Sequence, residues 1–428
     1  PILFAAADQL ESMLTSDRDS LVKFYYKRLG HVRNDEGRTG ERLRLWDKLG
    51  ELCLELGRKE DAVVAFEVAL TLAPDELLRR QRLADLYLEA DPKHDLDAIA
   101  LHHSVLRRDK RRISSYEALR TLYTRTSQSD KSRACDEALA ILGGKTPESL
   151  IDELFGAGLG SDAPGASRVL SNDDWLALSR IDVDLQLSGL FALVAPAFAA
   201  ERARTRPPLP LPQLSQEVPA GLARVVAKVI TAFGIARPLV FVDRDQAATC
   251  TVSMRVKDGV LGPVLVLGKP ARDGLVDDHE VGFSLARSLA DLRNDRVARL
   301  LCTKASELAE IIELASSAQA TSHSGRWLTT SLHAVELDRA LAIGTRLRER
   351  HIEPMPAALK WLAATERTAD RIGFVVAGDL AKCVRIVERD ATAEAKDRIL
   401  ELVWSSITEE VLGVRGRVEG WGGARPAA

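Results

Sequence analysis

The stretch LRLWDKLGELCLELGRKEDAVVAFEVALTLAPDE places small and aromatic side chains at spacings that suit two helices packed side by side. Gly50 and Ala62 allow two antiparallel helices to approach closely, and the rings of Trp46 and Phe66 are expected to fill the space between them. Pro74 is expected to end the second helix, because proline cannot continue the backbone hydrogen bonding. The stretch therefore predicts a helical hairpin.

The pattern recurs in LLRRQRLADLYLEADPKHDLDAIALHHSVLRRDK and again in SSYEALRTLYTRTSQSDKSRACDEALAIL. About three such hairpins are needed for a stable stack, because one hairpin cannot bury its own apolar face. Residues 1–40 also carry a helical periodicity and are either a degenerate copy or a cap. The recurring positions are Leu83, Ala84, Tyr87 and Ala98 in the second copy, and Tyr116, Leu119, Tyr123, Ala134 and Ala138 in the third.

These offsets resemble the tetratricopeptide repeat. The resemblance implies a helical stack over residues 1–144 whose concave groove holds a peptide or a protein partner. Within the second copy, His102 and His103 point about 100° apart on one helix, so we predict one packed and one solvated imidazole rather than a metal pair. The first copy matches the repeat consensus at Trp46, Leu49, Gly50, Ala62, Phe66, Ala69 and Pro74.

Composition limits the remaining possibilities. A chain of 428 residues is long enough for two or three domains. The net charge of -3 supplies no field that would steer the protein to nucleic acid, and the basic run at 107–112 is short enough to coat an exposed turn. The five scattered cysteines are typical of a reducing compartment, which predicts a cytoplasmic location. The longest apolar stretch, 187–200, is too short to span a membrane.

Beyond the repeats, residues 145–203 are predicted as an irregular helical extension. Within it, Asn172, Asp173 or Asp174 would cap a helix that turns Trp175 inward. A proline-rich linker or strap follows at 204–215 and is predicted to mark the domain boundary, before a second domain at 216–420 and a flexible tail at 421–428.

The second domain combines three predicted strands, in PLVFVDRD, TCTVSMRV and GPVLVLGKP, with five later helices at 275–293, 296–315, 330–350, 356–377 and 392–412. This order, together with Glu366 and Asp370 in ERTAD, resembles the zinc metallopeptidases of the CAAX-prenyl-protease (gluzincin) type. The resemblance implies a zincin-like α+β domain in which Glu366 is a zinc ligand and Asp370 a supporting residue. The expected fold class is therefore mainly α, a repeat stack followed by this domain.

The zinc-binding HExxH motif of that family has two possible alignments in HEVGFSLARSLAD. The first begins at His279 and Glu280 and puts Phe283 at the second histidine position. The second begins eight residues later, so the motif positions fall on Arg287, Ser288, Leu289, Ala290 and Asp291. The second fits better, because Glu280 then supplies the acidic residue that precedes the motif, while Asp277 and Glu280 have the spacing of a helix capping box.

Neither alignment retains the ligands of a catalytic zinc, which needs three protein side chains and a carboxylate base. In the second alignment, Arg287 is predicted to approach Glu366 and Asp370 and to replace the positive charge of the metal. An ordinary surface pair between Arg287 and Asp291 remains open as an alternative.

The sequence therefore favours a non-catalytic interaction scaffold, without a cofactor, that binds a protein or peptide partner and neither nucleic acid nor a membrane. One alternative is an active zinc endopeptidase that uses His279 and Glu366 with a further side chain. Another is a helical module of a larger assembly in which both domains are only packing surfaces. The identity of the partner and the oligomeric state are not specified by the sequence.

Overall fold

The fold is taken from a computed structural model, which describes residues 11, 13, 17–32, 35–89, 92–143, 169–179, 181–205, 217–302, 304–317, 331–390 and 394–418. These residues are mainly helical and include one three-stranded sheet, which confirms the mainly α prediction. None of the helices in these ranges is long and apolar enough to cross a membrane. The chain divides into two compact units, Pro1–Gly143 (unit 1) and Gly144–Ala428 (unit 2).

Unit 1 is a row of helices in which each helix packs on the next. Helices α2 and α3, α4 and α5, and α6 and α7 form three hairpins, and α1 packs on α2. The helices are α1 (Arg18–Val32), α2 (Thr39–Glu55), α3 (Lys59–Leu72), α4 (Leu77–Glu89), α5 (Asp95–Arg108), α6 (Ile113–Arg125) and α7 (Ser129–Leu142).

Small residues set the close approach of α2 and α3. A Cβ atom added to Gly50 would lie 2.7 Å from the ring of Phe66, so only glycine leaves room for the aromatic side chain. Trp46 is half-buried, and its ring lies edge-on to Tyr26 of α1 at 6.4 Å. This contact differs from the prediction that Trp46 fills the space inside the hairpin. The other repeat positions Leu49, Ala62, Ala69, Leu83, Tyr87, Tyr116 and Tyr123 are buried.

Both histidines of α5 are held by neighbouring side chains. His102 is fully buried with Nδ1 3.3 Å from Ser115 Oγ, and burial lowers its pKa to about 4. His103 is half-buried, and its Nε2 lies 2.7 Å from the Tyr123 hydroxyl. His102 is therefore the packed imidazole of the two, whereas His103 is only partly exposed because α6 of the next hairpin brings Tyr123 to it.

Unit 2 contains the sheet, in the order β1, β3, β2. Strand β1 (Leu239–Val242) pairs in parallel with β3 (Val260–Leu267), and β2 (Cys250–Lys257) pairs antiparallel with β3. The hairpin between β2 and β3 turns at Asp258 and Gly259, both with positive φ, as a tight two-residue hairpin requires.

The helices of unit 2 are shorter and more interrupted than the sequence predicts. The predicted helix 275–293 begins only after Asp277 and continues past Leu289 as one 3₁₀ turn, and the predicted helix 392–412 breaks near Ile407. The bounds are α8 (Asn172–Ser179), α9 (Leu185–Thr205), α10 (Ala220–Phe233), α11 (Lys269–Arg272), α12 (Asp278–Leu289), α13 (Ala298–Leu301), α14 (Ala305–Ser317), α15 (Ala334–Glu349), α16 (Pro354–Ala377), α17 (Leu380–Arg389), α18 (Ala395–Ser406) and α19 (Glu409–Val418).

The domain boundary differs from the predicted one at 204–215, because α8 and α9 pack within unit 2. The ring of Phe191 lies 4.6 Å from that of Trp361, whose Nε1 donates a hydrogen bond to Ser188 Oγ at 2.9 Å. Long-range aromatic packing of this kind cannot be predicted from the local composition. Residues 206–215 of the predicted strap and the predicted tail at 421–428 lie outside the described residues.

The start of α8 also differs in its cap. Ser171, rather than Asn172, Asp173 or Asp174, is the capping residue, and its hydroxyl accepts a hydrogen bond from the Asp174 backbone N–H at 3.2 Å. The Asp174 carboxylate accepts the Ser171 backbone N–H at 2.9 Å, which completes a reciprocal cap. Trp175 packs inward against Phe233, at 5.2 Å between the rings.

Candidate functional site

Helices α12 and α16 pack along each other in unit 2 and carry the residues of both candidate motifs. Residue numbers rise along one helix as they fall along the other, so the two helices are antiparallel. Three contacts follow in order along the pair: His279 with Ala377, Phe283 with Gly373, and Arg287 with Glu366.

The first turn of α12 is held by its own cap. The Asp277 side chain accepts the Glu280 N–H at 3.0 Å, and the Glu280 side chain accepts the Asp277 N–H at 2.8 Å, so the capping box is present. Glu280 is buried and also forms ion pairs with Arg385 and Arg389 of α17. The Glu280 carboxylate therefore has a structural role at the start of the helix.

The remaining positions of the first alignment are packed into the core. His279 Nδ1 lies 2.8 Å from the backbone carbonyl oxygen of Ala377, to which it donates in the tautomer that carries a proton on Nδ1. Phe283 is fully buried against Gly373, where an added Cβ atom would lie 2.6 Å from the phenyl ring. The position where a second imidazole would be needed is thus a close-packed contact between two helices.

One turn further along, Arg287 contacts three carboxylates. Its Nη2 lies 2.7 Å from Glu366 Oε1 and its Nε lies 2.9 Å from Asp370 Oδ1. Its Nη1 donates to Asp390, the residue that follows α17. All three nitrogens of the guanidinium group are therefore engaged, which joins α12 to α16 and to the end of α17.

Arg398 of α18 completes the group from the other side. Its Nε lies 3.0 Å from Asp370 Oδ2, and its Nη2 lies 3.0 Å from Asp370 Oδ1. This bidentate ion pair is almost fully buried. Its Nη1 lies 3.5 Å from Glu366 and 3.6 Å from Asp390. We call Arg287, Glu366, Asp370, Asp390 and Arg398 the arginine–carboxylate cluster.

The cluster has two positive and three negative groups, and its burial strengthens the interactions between them. Burial would raise the pKa of Glu366, but the guanidinium groups of Arg398 and Arg287 outweigh this effect and lower the pKa. Burial alone would lower the pKa of Arg287, whereas Asp370, Asp390 and Glu366 together raise it. Glu366 and Arg287 therefore stabilise each other in their charged forms.

The other two polar positions of the second alignment lie outside this cluster. Asp291 falls in the 3₁₀ turn after α12 and pairs with Arg296 at 3.0 Å and Arg299 at 3.3 Å, so the alternative pair of Arg287 with Asp291 is replaced by other contacts. Ser288 Oγ lies 3.5 Å from Cys250 Sγ of β2. Burial raises the pKa of the Cys250 thiol to about 12, so this sulfur is not a nucleophile at neutral pH.

The residues do not fit a catalytic zinc. His279 contacts Ala377, which lies eleven residues after Glu366 on α16. At a rise of 1.5 Å per residue, Glu366 and Ala377 are about 16 Å apart along the helix axis. Because zinc lies about 2 Å from each ligand, one ion cannot contact both His279 and Glu366. Within the described ranges, no group of three or more His, Cys, Asp or Glu side chains is placed to hold a metal ion.

Two members of the cluster, Asp390 and Arg398, are not predicted from the sequence. Asp390 follows the last turn of α17, and Arg398 lies on α18 behind a break in the helices. They belong to no motif with Glu366, and only the tertiary packing of α17 and α18 brings them to it. No spacing in the sequence signals their role.

Unit 1 has a separate feature, a groove of about 460 Å³ in which α4 provides half of the lining residues. Arg79 forms a bidentate pair with Asp47 of α2, at 2.8 and 2.7 Å, and Arg82 pairs with Glu51 at 2.8 Å. The groove is lined by Asp47, Glu51, Phe66, Glu76, Leu78, Arg79, Gln81, Arg82, Asp85 and Arg112. We call it the α4 groove.

Comparison with known proteins adds no family: no protein-family model matches the chain, and no curated protein matches it.

Proposed function

We propose that this protein is a non-catalytic interaction scaffold. Unit 1 is a tetratricopeptide-type stack that binds a protein or peptide partner in the α4 groove, and unit 2 is a zincin-like domain that functions without zinc. The proposal that unit 2 functions without zinc rests on the contacts of Arg287 with Glu366 at 2.7 Å and with Asp370 at 2.9 Å. A guanidinium group fills the position where the resemblance would require a metal ion.

The chemistry of the site supports this assignment. A catalytic zinc keeps an open coordination position for water, and its motif supplies a carboxylate base. At the corresponding positions, the three polar nitrogens of Arg287 are already engaged by carboxylates, and Ser288 contacts a buried thiol. The arrangement binds two helices together and has a serine, Ser288, where the motif requires the carboxylate base.

Zinc content tests the non-catalytic half. The full chain, produced in zinc-supplemented medium and purified without chelators, is expected to contain well under one zinc per chain by atomic absorption. One tightly held zinc per chain, lost on substitution of Glu366→Gln, would overturn the proposal and favour hydrolysis.

The zincin-like half needs a separate variant. Replacing Arg287→His, Ser288→Glu and Asp291→His rebuilds an HExxH motif opposite Glu366, and is expected to confer zinc binding that Glu366→Gln abolishes. Helix content should first be checked by circular dichroism, because Asp291→His removes an ion-pair partner from the buried Arg296. A folded triple variant without zinc binding would argue against the resemblance.

Partner binding is supported by the α4 groove and is tested on the full chain. Arg82 is half-exposed in the groove, so Arg82→Glu reverses one charge with little effect on folding. Arg133→Glu on α7 is a matched control, because this arginine is also half-exposed and does not line the groove. A partner captured by the native chain and by Arg133→Glu, but lost with Arg82→Glu, supports the groove. Equal capture by both variants places binding elsewhere.

A further inference from the structure

A second cavity, of about 430 Å³, lies within unit 2 between residues 182–187 and residues 350–361. One wall is the loop before α9 and the first turn of that helix, and the other is the loop after α15 with the first two turns of α16. None of the lining residues belongs to the arginine–carboxylate cluster. The volume falls in the range of small-molecule sites, about 300–1,000 Å³. We call it the Trp361 pocket.

The floor of the pocket is apolar. Leu187 and Trp361 are buried in the core at 3% and 1% exposure, and Ile352 and Ala357 are partly buried beside them. The only polar atom of the indole, Nε1, donates to Ser188 Oγ at 2.9 Å. Trp361 therefore needs no polar partner from a bound molecule, and the apolar surface open to such a molecule comes from the partly buried Ile352 and Ala357.

Two carboxylates at the rim are already engaged. Asp182 accepts from Arg367 and from Arg371. Asp184 caps α9 by accepting the Gln186 N–H at 2.9 Å, and it also pairs with Arg350 at 3.1 Å. A ligand would gain little from either carboxylate, because its charge is already balanced and its oxygens are bonded.

The remaining ionisable groups at the rim are Lys360, His351 and Glu353. Lys360 is exposed, next to Trp361 in sequence, and no described residue forms an ion pair with it. His351 is held at the rim by a left-handed backbone with φ of 52°, a conformation that costs a non-glycine residue about 1–2 kcal/mol. Glu353 lies two turns before Lys360, where the dipole at the start of α16 stabilises its charge.

We propose that the Trp361 pocket binds a small carboxylate with an apolar body of about the size of a benzene ring. The body lies on Ile352 and Ala357, next to the buried Trp361 and Leu187, and the carboxylate is neutralised by Lys360. This site is independent of the scaffold function and of the absence of zinc, because it uses neither the α4 groove nor the cluster.

The test compares three probes that differ only in their polar end group, which is anionic, neutral or cationic: hydrocinnamate, phenylpropanol and phenylpropylamine. Saturation-transfer NMR on the full chain is expected to rank the acid first and the amine last. Lys360→Gln should weaken binding of the acid about three- to fivefold, as for one partly exposed ion pair, and should leave the alcohol unchanged. Lys396→Gln, an exposed lysine on α18, is the matched control and should change neither.

A plug variant tests the location. Ala357→Phe fills the pocket from its wall and should abolish binding of all three probes while the native circular dichroism spectrum is retained. If Ala357→Phe does not fold, the comparison of Lys360→Gln with Lys396→Gln still decides the site. No binding of the acid at millimolar concentration, tighter binding of the amine, or equal effects of the two lysine substitutions would each overturn the proposal.

Discussion

The most direct perturbation of the arginine–carboxylate cluster is Arg287→Met, which keeps the length of the side chain and removes its charge. The substitution leaves three carboxylates around Arg398 alone, at 3.0 Å from Asp370, 3.5 Å from Glu366 and 3.6 Å from Asp390. Removing one partner of a buried ion pair costs about 3–5 kcal/mol. We expect a loss of about 3 kcal/mol, at the lower end, because Arg287 is 21% exposed and Arg398 still neutralises Asp370.

Hydrogen exchange measured by mass spectrometry suits this prediction, because it reports on α12 and α16 within the full chain without assuming a single unfolding transition. A loss of 3 kcal/mol corresponds to roughly a hundredfold faster exchange in the peptides that cover these helices, at tenfold for every 1.4 kcal/mol. Exchange in the peptides of unit 1 serves as an internal reference and should be unchanged.

Two further variants separate charge from geometry. Arg287→Lys keeps one positive charge but loses the planar group that reaches three carboxylates, so it should recover only part of the stability. Arg204→Met removes an exposed pair with Glu201 at 3.4 Å and should change exchange by less than about fivefold. If Arg287→Met exchanges at the native rate, the cluster does not hold α12 against α16, and the assignment of Arg287 as a substitute for a metal ion is refuted.

Three other substitutions test the packing and the charges. Gly373→Ala should destabilise unit 2 by about 1–3 kcal/mol in urea unfolding, because its Cβ would press on Phe283, whereas Gly416→Ala meets nothing within 4 Å and should not destabilise. His102→Gln should flatten the pH dependence of urea unfolding for unit 1. In the native chain, stability is expected to fall by up to about 3 kcal/mol as pH drops from about 6.5 to about 4, because only the unfolded imidazole binds a proton there. Ser171→Ala should cost about 1 kcal/mol, measured as faster hydrogen exchange in α8.

Local patterns predict the hairpins of unit 1 well. The spacing of Gly50 and Phe66 reflects a contact between neighbours in the chain, and the structure brings them together at the distance that only glycine allows. The role of Asp277 is local for the same reason, since a capping box involves residues only three positions apart. Helical features that span one or two turns can be recognised from the spacing of their apolar residues and from the polar residues at the helix ends.

Long-range features follow a different rule. The placement of α8 and α9 in unit 2 depends on contacts of Ser188 and Phe191 with Trp361, which lies about 170 residues away. Asp390 and Arg398 likewise reach Glu366 only through the packing of α17 and α18. Here the sequence supplies the residue types but not their juxtaposition, because many alternative pairings of arginine and carboxylate satisfy the same composition.

Because Arg287 is covalently part of the chain, the link that it forms between α12 and α16 differs from a link formed by a bound ion. A zinc ion that joined α12 to α16 would make their packing depend on metal supply and on the protonation of its ligands. The guanidinium group remains charged at any physiological pH, and its own charge keeps the pKa of Glu366 low, so the link persists wherever the chain is folded. Because all three of its nitrogens face carboxylates, the link leaves no open position for a substrate oxygen. Arg287 therefore forms a permanent structural connection between α12 and α16, which is the property that the proposed scaffold function requires.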